Sequence, residues 1–274
     1  MDLFQIPASG LPMLRPILYD HGSICDTNLS LDCVIGDQQA ALIGQQGLLR
    51  GSIATNFGTS ASVLYNAGRN PIVVKGLISS VLFSDGKQRK HVVEGTINAC
   101  NSLFHHLETE LNISHDFMKW PELCSNQSTN GIYVPGFAGL AAPYWKSGFN
   151  DIYRNLDKFD KNKIIRAGME SIGFLVNNII DRLKPIMESK IKSLSASGGS
   201  ATQPLLQFIA DLTGIPVTHS AMKDQTAYGV FRLLKPQNDN DDDYQISQTF
   251  SPRQDRAEIE NKLSDWQETI ESIL

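Results

Sequence analysis

This chain lacks the arrangements that would classify it at a glance. Cys25, Cys33, Cys100 and Cys124 form no Cys-x-x-Cys pair, which excludes the usual zinc and dithiol spacings. No apolar run reaches ten residues, so none spans a bilayer. The opening Met1-Asp2-Leu3-Phe4-Gln5 has neither the basic nor the apolar region of a signal peptide. The chain is therefore expected to be cytoplasmic with four reduced thiols, and the formal sequons at Asn28 and Asn112 carry no meaning. Basic residues are outnumbered, 24 Lys and Arg against 29 Asp and Glu, and the net charge of −5 argues against a nucleic-acid-binding stripe. There is no Walker A pattern, no Ser–His–Asp signature and no internal repeat. What remains is an ordinary globular composition: 274 residues, 41% hydrophobic, enough for one large domain or two small ones.

Residues 1–30 read as an extended lead-in punctuated by Pro7, Pro12 and Pro16. A short apolar run, Cys33-Val34-Ile35, reads as a strand that meets a helix over Gln39 to Gln46. Residues 52–66 predict a hairpin turning at Gly58-Thr59-Ser60. Strand-like pieces follow at Ile72–Val74, Leu77–Phe83 and His91–Val93, then a helix from about Asn98 to Leu111. Gly131 to Pro135 reads as a strand ending in a Gly-, Ala- and aromatic-rich loop through Trp145. Ile165, Met169, Ile172, Val176, Ile179 and Leu183 recur at the 3–4 spacing of a buried helical stripe. A strand at Ile191–Ala196, a turn at Ser197-Gly198-Gly199, and a helix with Pro204 at its start and Gly214 at its end form a strand–turn–helix unit. Residues 236–243 read as an acidic linker. Residues 252–274 read as a charged helix packing on Ile259, Leu263, Trp266, Ile270 and Leu274.

The chemistry-bearing signals are few. Asp37, between an apolar run and a helix start, is either a carboxylate held over a cleft or a helix N-cap. The turns at Gly58-Thr59 and at Gly198-Gly199 are either phosphate-binding backbone or ordinary strand punctuation. One acid and two glycine turns suit phosphoryl transfer, which needs a base near a hydroxyl and amides on the phosphates. His105 and His106 are expected on a helix surface, because no partner acid or Cys cluster sits at ligand spacing, and no metal ligand is assigned.

Taken in order, these segments resemble the FGGY carbohydrate kinases. The resemblance rests on Gly36-Asp37-Gln38-Gln39-Ala40-Ala41-Leu42, Asn56-Phe57-Gly58-Thr59, and the loop Phe137-Ala138-Gly139-Leu140-Ala141-Ala142-Pro143-Tyr144-Trp145. Gly198-Gly199-Ser200-Ala201, Thr226-Ala227-Tyr228-Gly229 and the closing helix from Phe250 continue it, so it covers nearly the whole chain. It implies an α/β, actin- and hexokinase-like (ribonuclease H-like) domain, a mixed sheet flanked by helices. Residues 1–30 would be the tail of a first domain and the crossover, and 31–274 the C-terminal domain.

By the same resemblance, Asp37 would be the general base and Gln38 would help hold substrate. Gly58 and Thr59 would contact the β/γ-phosphates, and Gly199 and Gln203 would lie against the nucleotide. ATP and Mg²⁺ would be required, and a sugar or polyol hydroxyl would be the acceptor. The family's first domain has no counterpart in these residues; the resemblance implies that it is supplied either by a separately encoded first domain, as a partner, or by an upstream segment of a longer chain. Three positions depart from glycerol kinases within that family: Ser197 for an Asp, Gln203 for an Asn, and Ser62 for an aromatic. A nucleotide-binding or interaction module without catalysis is the rival reading.

Overall fold

The computed structural model describes residues 5–187, 191–220, 222–235 and 246–274; the acidic stretch 236–243 lies outside the described residues. Helix α1 (Asp37–Gln46) is followed by strands β1 (Ile53–Phe57), β2 (Ala61–Gly68), β3 (Ile78–Ser84) and β4 (Arg89–Ile97). Helices α2 (Asn101–Glu110) and α3 (Trp120–Ser125) lead to a small hairpin of β5 (Ile132–Val134) and β6 (Ile152–Arg154). Then come α4 (Lys161–Leu183), β7 (Leu194–Ser197), α5 (Gln203–Thr213), β8 (Val217–Ser220), α6 (Gln225–Leu234), β9 (Ile246–Phe250) and α7 (Arg256–Glu271).

Seven strands form one mixed sheet in the order β3-β4-β2-β1-β7-β8-β9. β1, β2, β4 and β3 pair antiparallel, whereas β1–β7 and β7–β8 pair parallel. The parallel half arises because α4 and α5 each return the chain before the next strand is laid down.

Period-2 alternation divides the strand residues between two faces. Ile53, Phe57, Val63, Tyr65 and Val93 enter the large core under α4 and α5. Ala54, Leu64 and Val92 face the other way, against Leu42 and Ile43 of α1. Helix α7 closes the large core: Trp266 stacks on Phe174 at 4.8 Å and its Nε1 donates to Asn178 Oδ1 at 2.8 Å. Lys262 Nζ, buried, donates to Glu170 Oε2 (2.9 Å) and the Thr129 carbonyl (2.7 Å), while Arg166 Nε takes the other Glu170 oxygen at 2.7 Å. Both Glu170 oxygens are thereby satisfied, the condition under which a buried charge is tolerable.

Several expectations are corrected. Ile72–Val74 is irregular: Pro71 precedes it, and Val73 is 89% exposed with no strand beside it. Cys33–Ile35 is no strand but makes a single antiparallel bridge, Leu18 to Cys33. Leu274 is exposed rather than on the packing face, because α7 ends at Glu271.

Candidate active site

Asp37 stands at the front of α1. Gly36 takes the N-cap position in extended backbone, so Asp37 is the first helical residue, not the cap. Its Oδ1 accepts the Gln38 N–H at 2.7 Å, and the residue stays exposed. A carboxylate in the first turn is favoured by the helix dipole.

Helix α1 is held from behind by α6 at near-contact of the two backbones. A Cβ on Gly229 would overlap the Ala40 carbonyl oxygen, and one on Gly44 would overlap the Gln225 carbonyl. Arg232 NH1 adds hydrogen bonds to the Ile43 and Gly44 carbonyls at 3.4 and 3.2 Å. The sequence segments around Asp37 and around Thr226–Gly229 therefore form one unit.

Across the sheet, α1 runs from the β4 side toward β7. Near its end, Gln45 Nε2 donates to Ser197 Oγ at 3.0 Å, at the tip of β7. At its start, Asp37 is close enough to influence Glu94 of β4. Burial raises the Glu94 pKa, a Thr96 hydroxyl hydrogen bond at 3.4 Å opposes the rise, and the Asp37 charge adds to it. Glu94 and Thr96 share the face of Val92, and Ser62 sits opposite Thr96 on β2. Ser62 Oγ and Gln38 Oε1 are buried with no hydrogen-bond partner among the described residues. Unpaired buried polar atoms are costly, and a polyhydroxylated ligand is one way to satisfy them. Glu94 escaped the sequence reading, although an acid inside Val92-Val93-Glu94-Gly95-Thr96-Ile97 was a visible break in an apolar strand.

The two glycine turns meet at the C-terminal ends of β1 and β7, the adjacent parallel strands. Ser200 N–H donates to the Phe57 carbonyl at 2.9 Å, joining the turns directly. Gly198, at φ +100°, lies so close to Phe57 and Asn56 that a Cβ would overlap both, whereas a Cβ on Gly199 would meet nothing. In this turn, Gly199 is thus the glycine with open space where a side chain would stand. Gln203 is the exposed first residue of α5, and the hydroxyl of its N-cap, Thr202, is buried without a partner among the described residues. An open helix N-terminus beside a glycine turn is suited to an anion.

In the other turn, the Gly58 N–H already donates to the Ser60 carbonyl at 2.9 Å, while Thr59 is exposed. The first turn of α2 fixes this loop. Asn101 N–H reaches the Gly58 carbonyl, and Cys100 and Ser102 N–H reach that of Thr59, all within 3.2 Å. Burial pushes the Cys100 thiol up to about 12, so this neighbour of the turn is inert.

His105 lies on the exposed surface of α2 as expected, whereas His106 departs from expectation. His106 Nε2 lies 2.6 Å from Asp151 Oδ2, its ring stacks on Phe137 at 4.0 Å, and it is mostly shielded. Asp151 also accepts from Tyr133 Oη (2.7 Å) and the Gly136 and Phe137 N–H groups (2.7 and 3.0 Å), which pins the loop 136–145. His105 does have a partner acid, Glu108, with His115 beside it. Glu108 stood in the sequence at i+3 on the same helix, whereas Asp151 and His115 come from separate turns of chain that no local spacing reveals.

The sheet order, the antiparallel half continued by parallel strands, and the helices on both faces define the actin- and hexokinase-like fold. This chain belongs to the FGGY family of carbohydrate kinases, whose C-terminal domain model matches residues 53–234. Glycerol kinase 1 of Clostridium tetani is 29% identical over 286 residues, covering 98% of this chain and 57% of that protein. The glycerol kinase of Aeromonas hydrophila is also 29% identical, covering 99% and 57%. The structure of Plasmodium falciparum glycerol kinase with ADP superposes with a TM-score of 0.83 at 24% identity, covering 97% of this chain and 57% of that one. Gluconate kinase from Lactobacillus acidophilus gives a TM-score of 0.75 at 16% identity, with the same coverages of 97% and 57%. The chain thus spans little more than half the length of these relatives. Among its described residues, no helix is long and apolar enough to cross a membrane.

Proposed function

We propose that this chain is the nucleotide-binding lobe of a cytoplasmic sugar or polyol kinase, with residues 31–274 as that lobe and 1–30 as the end of a first lobe and the crossover. The observation that carries the reading is α1 itself. One helix links the glycine turns, through Gln45 on Ser197, to a polar floor of Glu94, Thr96 and Ser62, and leaves Asp37 exposed at that end.

In this reading ATP lies across the two turns. Thr59 offers its amide and hydroxyl to the β/γ-phosphates; the Gly58 N–H is committed to Ser60, so Gly58 serves by shape. Gly199 gives the nucleotide close access to backbone, and Gln203 presents the start of α5. Mg²⁺ arrives with the nucleotide, held mainly by phosphates and water, and neutralises charge there. Asp37 accepts the proton from the acceptor hydroxyl as that oxygen attacks phosphorus, and Gln38 holds a neighbouring hydroxyl. Ser62 in place of an aromatic makes the floor polar, which favours a more hydroxylated acceptor than glycerol.

The partner in this reading is a first lobe, on the same polypeptide or another. Nine of the exposed large apolar side chains lie between Ile6 and Val34, with Leu14 98% exposed, as expected of a segment that another lobe covers. A binding module without catalysis is the second reading, resting on Ser197. Against it, the Ser197 hydroxyl is buried and hydrogen-bonded to Gln45, so the change does not strip the open side of the turn.

The test is Asp37→Asn in the protein complete with its first lobe. Phosphotransfer to polyols and ketoses should fall by roughly two to four decades, the usual worth of a general base. The melting temperature should hold, because Asn keeps an Oδ1 that can accept the Gln38 N–H. Turnover near wild type would remove Asp37 from the mechanism. The isolated chain should show almost no turnover, since one wall of the cleft supplies little of the positioning.

A further inference from the structure

Away from the cleft, the exposed side of α2 carries a donor set that phosphoryl transfer does not use. We propose that His105, Glu108 and His115 form a binding site for a divalent transition metal of the Zn²⁺ class. His105 and Glu108 are three residues apart and so share one face of α2. The chain then reverses, with Asn112 at φ +48°, and the 3-10 turn His115–Phe117 brings His115 back onto that face.

The resulting geometry is that of a metal site already gathered. His115 Nδ1 lies 2.8 Å from Glu108 Oε1 and His105 Nδ1 lies 3.4 Å from Oε2. One ligand atom from each residue lies within 4.8 Å of the other two. The imidazoles stack at 5.6 Å, and both present Nδ1 to the Glu108 carboxylate. Zinc with ligand bonds of about 2.1 Å in a tetrahedron separates its ligands by roughly 3.4 Å, within this spread. Two imidazoles and a carboxylate, with the fourth direction open to solvent, suit Zn²⁺ or Ni²⁺. They do not suit Mg²⁺, which takes oxygen ligands, so this site is distinct from any ion carried in with the nucleotide.

An outer partner is also in place. The Asn101 side-chain amide lies 3.2 Å from His105 Nε2. The facing atom is Nδ2; with the amide turned over on metal binding, its oxygen would accept the Nε2–H and leave the Nδ1 lone pair for the metal, the usual way a second group orients an imidazole ligand. Asn101 is also the residue whose backbone N–H holds the Gly58 carbonyl. A metal tying α2 to residue 115 therefore stabilises the helix that anchors the Thr59 turn.

Pairing of Glu108 with two surface histidines, with no metal, is the alternative, and it predicts no metal response. The experiment uses tag-free, EDTA-stripped chain titrated with ZnCl₂, NiCl₂ and MgCl₂, read by calorimetry and thermal shift. Wild type should take up one Zn²⁺ per chain, gain melting temperature with Zn²⁺ or Ni²⁺ but not Mg²⁺, and bind at submillimolar concentration. His115→Ala, at an exposed position, should keep the metal-free melting temperature, and both His115→Ala and Glu108→Gln should lose at least tenfold in affinity. Asn101→Ala should weaken binding by about tenfold. Absence of Zn²⁺ binding in wild type overturns the proposal, as does unchanged affinity in both His115→Ala and Glu108→Gln, which would place the ion on other histidines.

Discussion

The two faces of the central sheet are built in different ways. The α4/α5 face is a thick apolar core in which Phe174 touches both Trp266 and Phe208, and the charged cluster around Glu170 is fully paired. The α1/α6 face is thin. Seven buried hydrophobic residues make its core, and two glycines allow its helices to meet backbone to backbone. It also holds the unpaired Gln38 and Ser62 atoms and the perturbed Glu94. Polar atoms left unsatisfied on one face are tolerable because the other face supplies most of the burial. Stability and chemistry are thus divided between opposite sides of the same strands.

That division can be broken by mutation. Phe174→Ala should cost about 3–5 kcal/mol as a large core cavity, seen as a lower midpoint in urea, while nucleotide affinity in the surviving folded protein stays unchanged. Gly229→Ala should cost less, about 1–3 kcal/mol by overpacking. It should also weaken nucleotide binding, because α1 must shift and so disturbs the Gln45 hydrogen bond to Ser197 at the glycine turn. If Phe174→Ala impairs binding as much as Gly229→Ala does, the two faces are not separable.

Asp151→Asn should sharpen the comparison at low pH. Burial pulls the Asp151 pKa up, but hydrogen bonds from Tyr133, His106 and the Phe137 N–H outweigh it and hold the carboxyl below the usual range. A depressed carboxylate contributes stability that is complete above its unfolded pKa, about 3.9, and is lost as pH falls through the lower folded value. The variant should therefore lose about 1–3 kcal/mol at neutral pH and show a flatter acid limb in melting temperature against pH. An acid limb identical to wild type would mean that the loop 136–145 is held by other contacts.

How much of this was legible in the sequence follows the same division. The hairpin at Gly58-Thr59-Ser60, the stripe of α4, and the Pro204 and Gly214 ends of α5 are local signals, and each appears where its chemistry demands. The short strands β6, β8 and β9 were not read, because Val217-Thr218-His219-Ser220 becomes a strand only by pairing between β7 and β9, and β9 only by pairing with β8. For the site, Asp37 and the two turns were legible as motifs, but not that α1 links them. The Gly44–Gly229 approach, the Glu94 floor and the His106–Asp151 bond join residues tens of positions apart, and no local pattern encodes them.

The most direct test of the account is to locate nucleotide on this chain by hydrogen–deuterium exchange in millimolar ADP. Protection confined to Thr59–Ser60 and Gly198–Gln203, at the ends of β1 and β7, with α4, α5 beyond its first turn and α7 unchanged, is the predicted result. Absence of protection at those turns, or protection centred on the α4/α7 surface instead, would contradict it.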